Sequence, residues 1–203
     1  MMWSSQSRTE EPLTTSSRTH GDAQDWSGDS KWLLISQEHS VWLLPVASRP
    51  NAEAAAQKVT SSPAYELYQC HLSPDGRWII FEAWRNQSSA VESTLYVMAA
   101  TGGPWIRITD GKHWDDKPRW SPDGKTIYFV SGRDGFFNVW GVRFNGVQGK
   151  PVGDPFQVTS FESPSLMVPT NIPPVELSLT QEKLVLTIAE VSGSIWILDN
   201  VGP

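Results

Sequence analysis

Trp120-Ser121-Pro122-Asp123-Gly124-Lys125-Thr126-Ile127-Tyr128-Phe129-Val130-Ser131 sets a tight turn between a large apolar residue and an apolar run. Proline presets φ at the second turn position, and glycine takes the left-handed conformation that closes a hairpin. The run after the turn is rich in β-branched and aromatic residues, the composition of a strand. The same phrase stands at Leu72-Ser73-Pro74-Asp75-Gly76, followed by Trp78-Ile79-Ile80-Phe81. Degraded copies flank both: Trp26-Ser27-Gly28-Asp29-Ser30 before Trp32-Leu33-Leu34-Ile35, and Leu177-Ser178-Leu179-Thr180-Gln181 before Leu184-Val185-Leu186. One structural unit is therefore written several times, and a repeat decides the fold class before any local reading does.

Two further marks keep the same order. An apolar-aromatic pair recurs at Val41-Trp42, Leu95-Tyr96, Val139-Trp140 and Ile195-Trp196; an apolar residue followed by Thr recurs at Leu13-Thr14, Val59-Thr60, Ile108-Thr109 and Val158-Thr159. Each unit then has four strands: one ending at the apolar-Ser mark, one after the turn, one carrying the aromatic pair and one ending in Thr. No long window has helical periodicity, the best being the short stretch Asn51–Lys58. Four-stranded units of roughly 40–50 residues are the signature of propeller blades. The expected fold is all-β: a β-propeller of four-stranded antiparallel blades, with about four blades present at about 25–60, 68–110, 116–160 and 176–200, a strand at 11–15, and a flexible segment at 1–10.

Composition is consistent with this. The chain has 203 residues and eleven Trp, most of them at repeat marks where they would pack between blades. A net charge of −6 argues against a nucleic-acid partner, which calls for a basic face. The single cysteine, Cys70, excludes an internal disulfide and reads as a small buried apolar group. No apolar run is long enough for membrane insertion, and residues 1–24 lack the charged and apolar regions of a signal peptide.

Residues 120–131 and the second unit, 72–109 with Gly102-Gly103 before its last strand, resemble the TolB-type (WD40-like) propeller repeat, and the resemblance covers about Pro12 to Asn200. That resemblance implies a bacterial protein whose propeller binds protein or peptide partners. TolB itself is a periplasmic partner-binding protein, and related blades form sensor-like regions of multidomain proteins. Such blades also gate serine peptidases of the dipeptidyl-peptidase IV and prolyl-oligopeptidase type, which supplies the alternative reading. Gly28-Asp29-Ser30 and Leu179-Thr180-Gln181 depart from Pro-Asp-Gly, which puts the turn geometry of the end units in doubt.

The marks also show a seam. The chain opens on a fourth-strand mark, Leu13-Thr14, and no fourth-strand mark follows Trp196. Either residues 11–15 complete the last blade, making a small ring closed by the N-terminal strand, or the chain is a partial propeller whose exposed edge would pair with further blades or with itself.

Loops joining strands two and three, and strand four to the next strand one, share one end of the blades; the Pro-Asp-Gly turns lie at the other. The loop end collects Trp84, Arg85, His113, Trp114, Asp115, Asp116, Arg133, Asp134 and Phe136, and these form the expected partner-binding face. The recurring Asp22 and Asp116, each four residues before a repeat Trp, also fit turn or strand-entry acceptors, and Arg133-Asp134-Gly135 also fits a plain hairpin. No catalytic residue, metal site or cofactor is expected. The chain has no Gly-x-Ser-x-Gly elbow, and His20, His39, His71 and His113 lack ligand spacing.

Overall fold

In the computed structural model the described residues are 2–4, 9–11, 13, 21–37, 39–48, 52–87, 90–163, 165–168, 177–190 and 192–193. They form three complete four-stranded antiparallel sheets in sequence order. The first blade is Asp22–Trp26, Trp32–Gln37, Ser40–Pro45 and Gln57–Ser61. The second is Glu66–Leu72, Trp78–Gln87, Ala90–Ala99 and Ile106–Arg107. The third is Asp115–Trp120, Thr126–Ser131, Asn138–Asn145 and Lys150–Gln157. The first strands of successive blades contact one another, so they form the inner side of the arc. After the third blade, Ser178–Leu179 pairs with Leu184–Val185, as a first strand pairs with a second, and Leu166–Met167 pairs with Ala189–Glu190. The expected third strand of the last unit, at Ile195-Trp196, lies outside the described residues, as does Pro169–Glu176.

The repeat phrase makes one turn three times. Ser73 Oγ donates to Asp75 Oδ1 at 2.7 Å and accepts from Trp78 N at 3.0 Å, while Asp75 Oδ1 accepts from Arg77 N at 3.1 Å. Ser121 and Asp123 repeat this with Lys125 and Thr126. The degraded copy folds identically: Ser27 Oγ donates to Asp29 Oδ1 at 2.7 Å, and Lys31 N and Trp32 N donate to Asp29 and Ser27. Gly76 and Gly124 sit at φ 69° and 68°, and in the first blade Ser30 holds that place at φ 57°. The serine bears the steric cost of the left-handed conformation, so Ser30→Gly is expected to raise stability by roughly 0.5–1 kcal/mol. Paired urea melts of the variant and the parent check this.

Packing between blades repeats position for position. The seam between the first and second blades joins Leu34, Val41, Leu43 and Val59 to Leu72, Ile79, Phe81 and Met98. The next seam joins Ile80, Leu95, Val97 and Ile108 to Trp120, Ile127, Phe129 and Val142. Period-two alternation sends one set of side chains from each strand to the blade before and the other to the blade after. Tryptophans close both seams. Trp105 Nε1 donates to Thr60 Oγ1 at 2.9 Å, and Trp120 Nε1 donates to the His71 carbonyl at 3.2 Å. Trp78 and Trp120 both pack edge-on against Phe144, with centroids 5.4 and 5.2 Å away. The apolar-Thr mark has a local role as well: the Thr109 and Thr159 hydroxyls accept from Leu95 N and Val139 N on the third strand of their blades.

Met2–Ser4, in the segment expected to be flexible, pairs with Thr9–Glu11. In the short stretch with the best helical pattern, Ala52–Ala55 forms a single 3-10 turn.

Candidate functional site

Antiparallel order places the Ser-Pro-Asp-Gly turns at one end of the blades and the turns joining strands two and three at the other. At the turn end the second and third repeat turns abut: a Cβ on Gly124 would lie 3.6 Å from Pro74 Cδ. The opposite end carries the residues proposed from sequence, and it sorts them into two groups.

Asp115, Asp116 and Arg133 are internal. The sequence puts Asp115 and Asp116 on the loop end, but Asp115 already pairs with Ser131 as the start of the inner strand. Asp115 is 0 % exposed, and Arg133 Nη2 donates to its Oδ1 at 3.0 Å. The guanidinium also stacks on Phe129 and Trp140, 5.1 and 5.0 Å from their centroids. Asp116 turns toward the second blade; its Oδ1 accepts from Lys117 N at 2.6 Å and its Oδ2 lies 3.3 Å from Lys117 Nζ. Lys117 has φ 53° at a bulge between the paired positions Asp116 and Arg119, and Gln69, at φ 51°, holds the corresponding bulge in the second blade. Bulges bend the inner strand and turn its side chains toward the seam. Trp84 and Arg85, expected in a loop, lie on long paired strands opposite Ser93 and Glu92. Arg85 Nε donates to Glu92 at 2.6 Å, and its guanidinium covers Tyr65 at 4.8 Å.

The second group lies at the surface. Lys112 is exposed, and His113, Trp114 and Phe136 are half-buried. Asp134 is exposed and organises its surroundings: Oδ1 accepts from Phe136 N at 3.3 Å, and Oδ2 accepts from Asn138 Nδ2 at 3.0 Å and Gln157 Nε2 at 2.7 Å. Buried Asn138 ties the adjoining loop down, donating to the Phe161 carbonyl at 3.1 Å and accepting from Phe161 N at 2.7 Å. In the first blade, His39 Nδ1 in the turn between strands two and three lies 2.8 Å from the carbonyl of Tyr65, in the connection to the second blade. The Asp134–Phe136 turn and the loop at Phe161 are thus held by their own polar side chains, and in the loop that carries His113 the Asp110 Oδ1 accepts from Lys112 N at 3.0 Å.

Two polar clusters escape the sequence reading. Glu82, 5 % exposed, interrupts the run Ile79-Ile80-Phe81-Glu82-Ala83, and Ser93 Oγ donates to it at 2.7 Å. Burial, then the Asp116 carboxylate, hold its carboxyl well above the ordinary value of 4.5. The charge inside an apolar run is the available signal. The other cluster is Asp25, His71 and Arg119, equivalent positions on three successive inner strands beside a cavity of about 240 Å³. Asp25 Oδ2 accepts from Leu72 N at 2.9 Å and lies 3.5 Å from His71 Nδ1. Burial pushes the His71 pKa below 6.5, with Asp25 opposing and Arg119 adding to the shift. These groups join blades at the inner edge. Among the described residues no group of three or more His, Cys, Asp or Glu is placed to hold a metal ion.

Glu82→Gln follows from the first cluster. A carboxyl whose folded pKa is raised keeps a proton that the unfolded chain releases, so its stabilising contribution is present below about pH 4.5 and falls as pH rises above it. Each tenfold difference in proton affinity between the folded and unfolded chain is worth about 1.4 kcal/mol. The variant is therefore expected to gain on the parent at pH 8 and to lose that gain near pH 5. Denaturant melts at the two pH values check this; parallel curves would refute it. Asp25 and His71 titrate in both proteins and cancel in the difference.

No protein-family model matches the chain. It is 28 % identical over 185 residues to an uncharacterized protein of Agrobacterium fabrum, covering 71 % of this chain and 62 % of that one. Its fold is similar to that of TolB from Acinetobacter baumannii, with TM-score 0.62 and 22 % identity over 85 % of this chain and 38 % of that chain. It is also similar to prolyl oligopeptidase B from Galerina marginata, with TM-score 0.51 and 14 % identity over 76 % of this chain and 22 % of the peptidase. The chain thus spans less than two thirds of the length of each, and what it shares with the two solved structures is the β-propeller fold.

Proposed function

We propose that this TolB-like propeller is a non-catalytic binding module, part of a larger protein, that takes a protein or peptide partner on its loop end. The observation that carries the reading is the division just described. Asp115, Asp116 and Arg133 brace the scaffold from within, while Asp134 and Asn138 fix the turn that displays Phe136 and Asp110 fixes the turn at Lys112, beside His113. A surface fixed before binding loses little entropy on association, which is how a small set of aromatic and charged groups can bind usefully. The likeness to prolyl oligopeptidase B favours a second reading, a gating propeller beside a hydrolase domain. A Gly-x-Ser-x-Gly hydrolase domain in the same polypeptide would move the assignment there.

The test is site-specific photocrosslinking in the native host, with p-benzoylphenylalanine at position 136 on the loop end or at position 75 in a repeat turn. Discrete adducts at 136 and none at 75 are expected. Adducts at 75 alone would reverse the face, and adducts at neither would remove the binding reading.

A further inference from the structure

Asp25, His71 and Arg119 each stand one residue before a repeat mark, Trp26, Leu72 or Trp120, on the inner strands of successive blades. They line one cavity of about 240 Å³ beside the repeat turns, walled by Trp26, Pro74 and Trp120. Asp25 is engaged on both oxygens: Oδ1 accepts from Trp26 N at 2.8 Å, and Oδ2 accepts from Leu72 N at 2.9 Å and lies 3.5 Å from His71 Nδ1. That contact turns Nδ1 of His71 to the acid, so Nε2, across the ring, is the nitrogen offered to the cavity; the side chain is 15 % exposed.

Arg119 brings a cation from the next blade. Burial lowers its pKa to about 10, with Asp25 and Asp116 opposing, so it is charged at neutral pH. A cation drawn partly out of water attracts an anion more strongly than an exposed one. The charges also set the charge of a ligand. Asp25 from the first inner strand and Arg119 from the third are the charges that act on His71. With His71 neutral they offset each other; a proton on His71 leaves one positive charge in excess, which one monoanion neutralises. Burial disfavours that proton, and an anion against the ring restores it. The two indoles suit a ligand whose single charge is attached to a hydrocarbon part.

We propose that this cavity binds a small organic carboxylate together with one proton, the carboxylate held between the Arg119 guanidinium and Nε2–H of His71 and its hydrocarbon part against Trp26 and Trp120. Asp25 is a positioning residue: it holds the His71 ring and offsets the charge that the ring gains. A free organic acid and the C-terminus of a peptide share this chemistry. The site lies at the inner ends of the strands beside the repeat turns and does not depend on the loop-end reading.

The experiment follows the histidine rings of the full chain by nitrogen–proton correlation spectra, with His71 assigned by its loss in His71→Gln. Butyrate is the probe, butyramide its uncharged control and sodium chloride the control for ionic strength. Butyrate is expected to raise the His71 titration midpoint by about half a pH unit or more, and to bind about fivefold or more tightly at pH 6 than at pH 8, because binding takes up a proton. Butyramide and chloride leave the midpoint in place. His71→Gln removes the pH dependence of binding, and Arg119→Lys, which keeps the charge and loses the planar fork, weakens binding; circular dichroism checks that both variants fold. N-acetyl-alanyl-leucine, which ends in a free carboxylate, separates the two sources: tighter binding than butyrate assigns the site to chain ends, weaker binding to free acids. A midpoint that butyrate does not move, an equal movement with butyramide, or an unchanged pH dependence of binding in His71→Gln overturns the proposal.

Discussion

Trp120→Ala will destabilise the chain by about 3–5 kcal/mol, the range for truncating a large buried aromatic side chain. Two losses combine. The ring fills the seam with Ile80, Leu95, Val97 and Ile108 on one side and its own blade's Ile127 and Phe129 on the other, and it packs edge-on against Phe144 at 5.2 Å. Its indole N–H satisfies the His71 carbonyl beside the bulged inner strand. The substitution opens a cavity at the point where two sheets meet, and neither sheet can close it without shifting its own ladder. Denaturant unfolding followed by far-ultraviolet circular dichroism measures the effect. Trp26→Ala serves as the internal comparison, because the equivalent residue is 44 % exposed and its loss should cost far less. Equal costs for the two would mean that the seam assignment is wrong.

Arg133→Ala should cost a similar amount, about 3–5 kcal/mol, by a different route. The Asp115 carboxylate is fully buried, and the guanidinium of Arg133 is the cation that faces it. Removing one partner of a buried pair leaves an uncompensated charge, which costs more than removing both. Asp115→Asn combined with Arg133→Ala is therefore expected to recover part of the loss, and a double-mutant cycle isolates the coupling. Additive single effects would show that the pair is not a unit. The outcome also bears on function: a binding defect in an Arg133 variant reports a damaged scaffold before it reports a lost contact, so the loop end is better probed at Phe136.

Sequence and structure agree where chemistry is local. Ser-Pro-Asp-Gly encodes a turn whose serine, aspartate and glycine each have a fixed partner, and the same bonds let Ser27-Gly28-Asp29-Ser30 fold alike despite the changed residues. The three marks locate the strands because alternation assigns each apolar position to one seam or the other. Long-range features are less legible. Asp115 and Asp116 read as loop-end residues because they fall between the fourth strand of one unit and the first of the next, yet both already lie on an inner strand packed on both sides, where each meets a cation. The bulge at Lys117 that re-aims them leaves no mark in composition, since its positive φ falls on a lysine and at the equivalent site on a glutamine. Trp84 and Arg85 read as loop residues because the second blade's middle strands run ten residues each, beyond the length the repeat suggests. The binding-end assignment depends on topology alone, and topology places the turns at one end and Asp134 and Phe136 at the other.

That opposition of ends is the claim on which the rest depends, and a distance measurement tests it directly. Spin labels are placed at 75 and 123, in adjacent repeat turns, and in a second sample at 75 and 134; Cys70 is buried and is replaced by serine as a precaution. Pulsed electron–electron resonance should give a short separation for the first pair. The second should be clearly longer, at least roughly 20 Å, the rise of the six-residue strand Thr126–Ser131 that separates the two ends. Equal separations, or a shorter one for 75 and 134, would contradict the arrangement of turns and loops on opposite ends of the propeller.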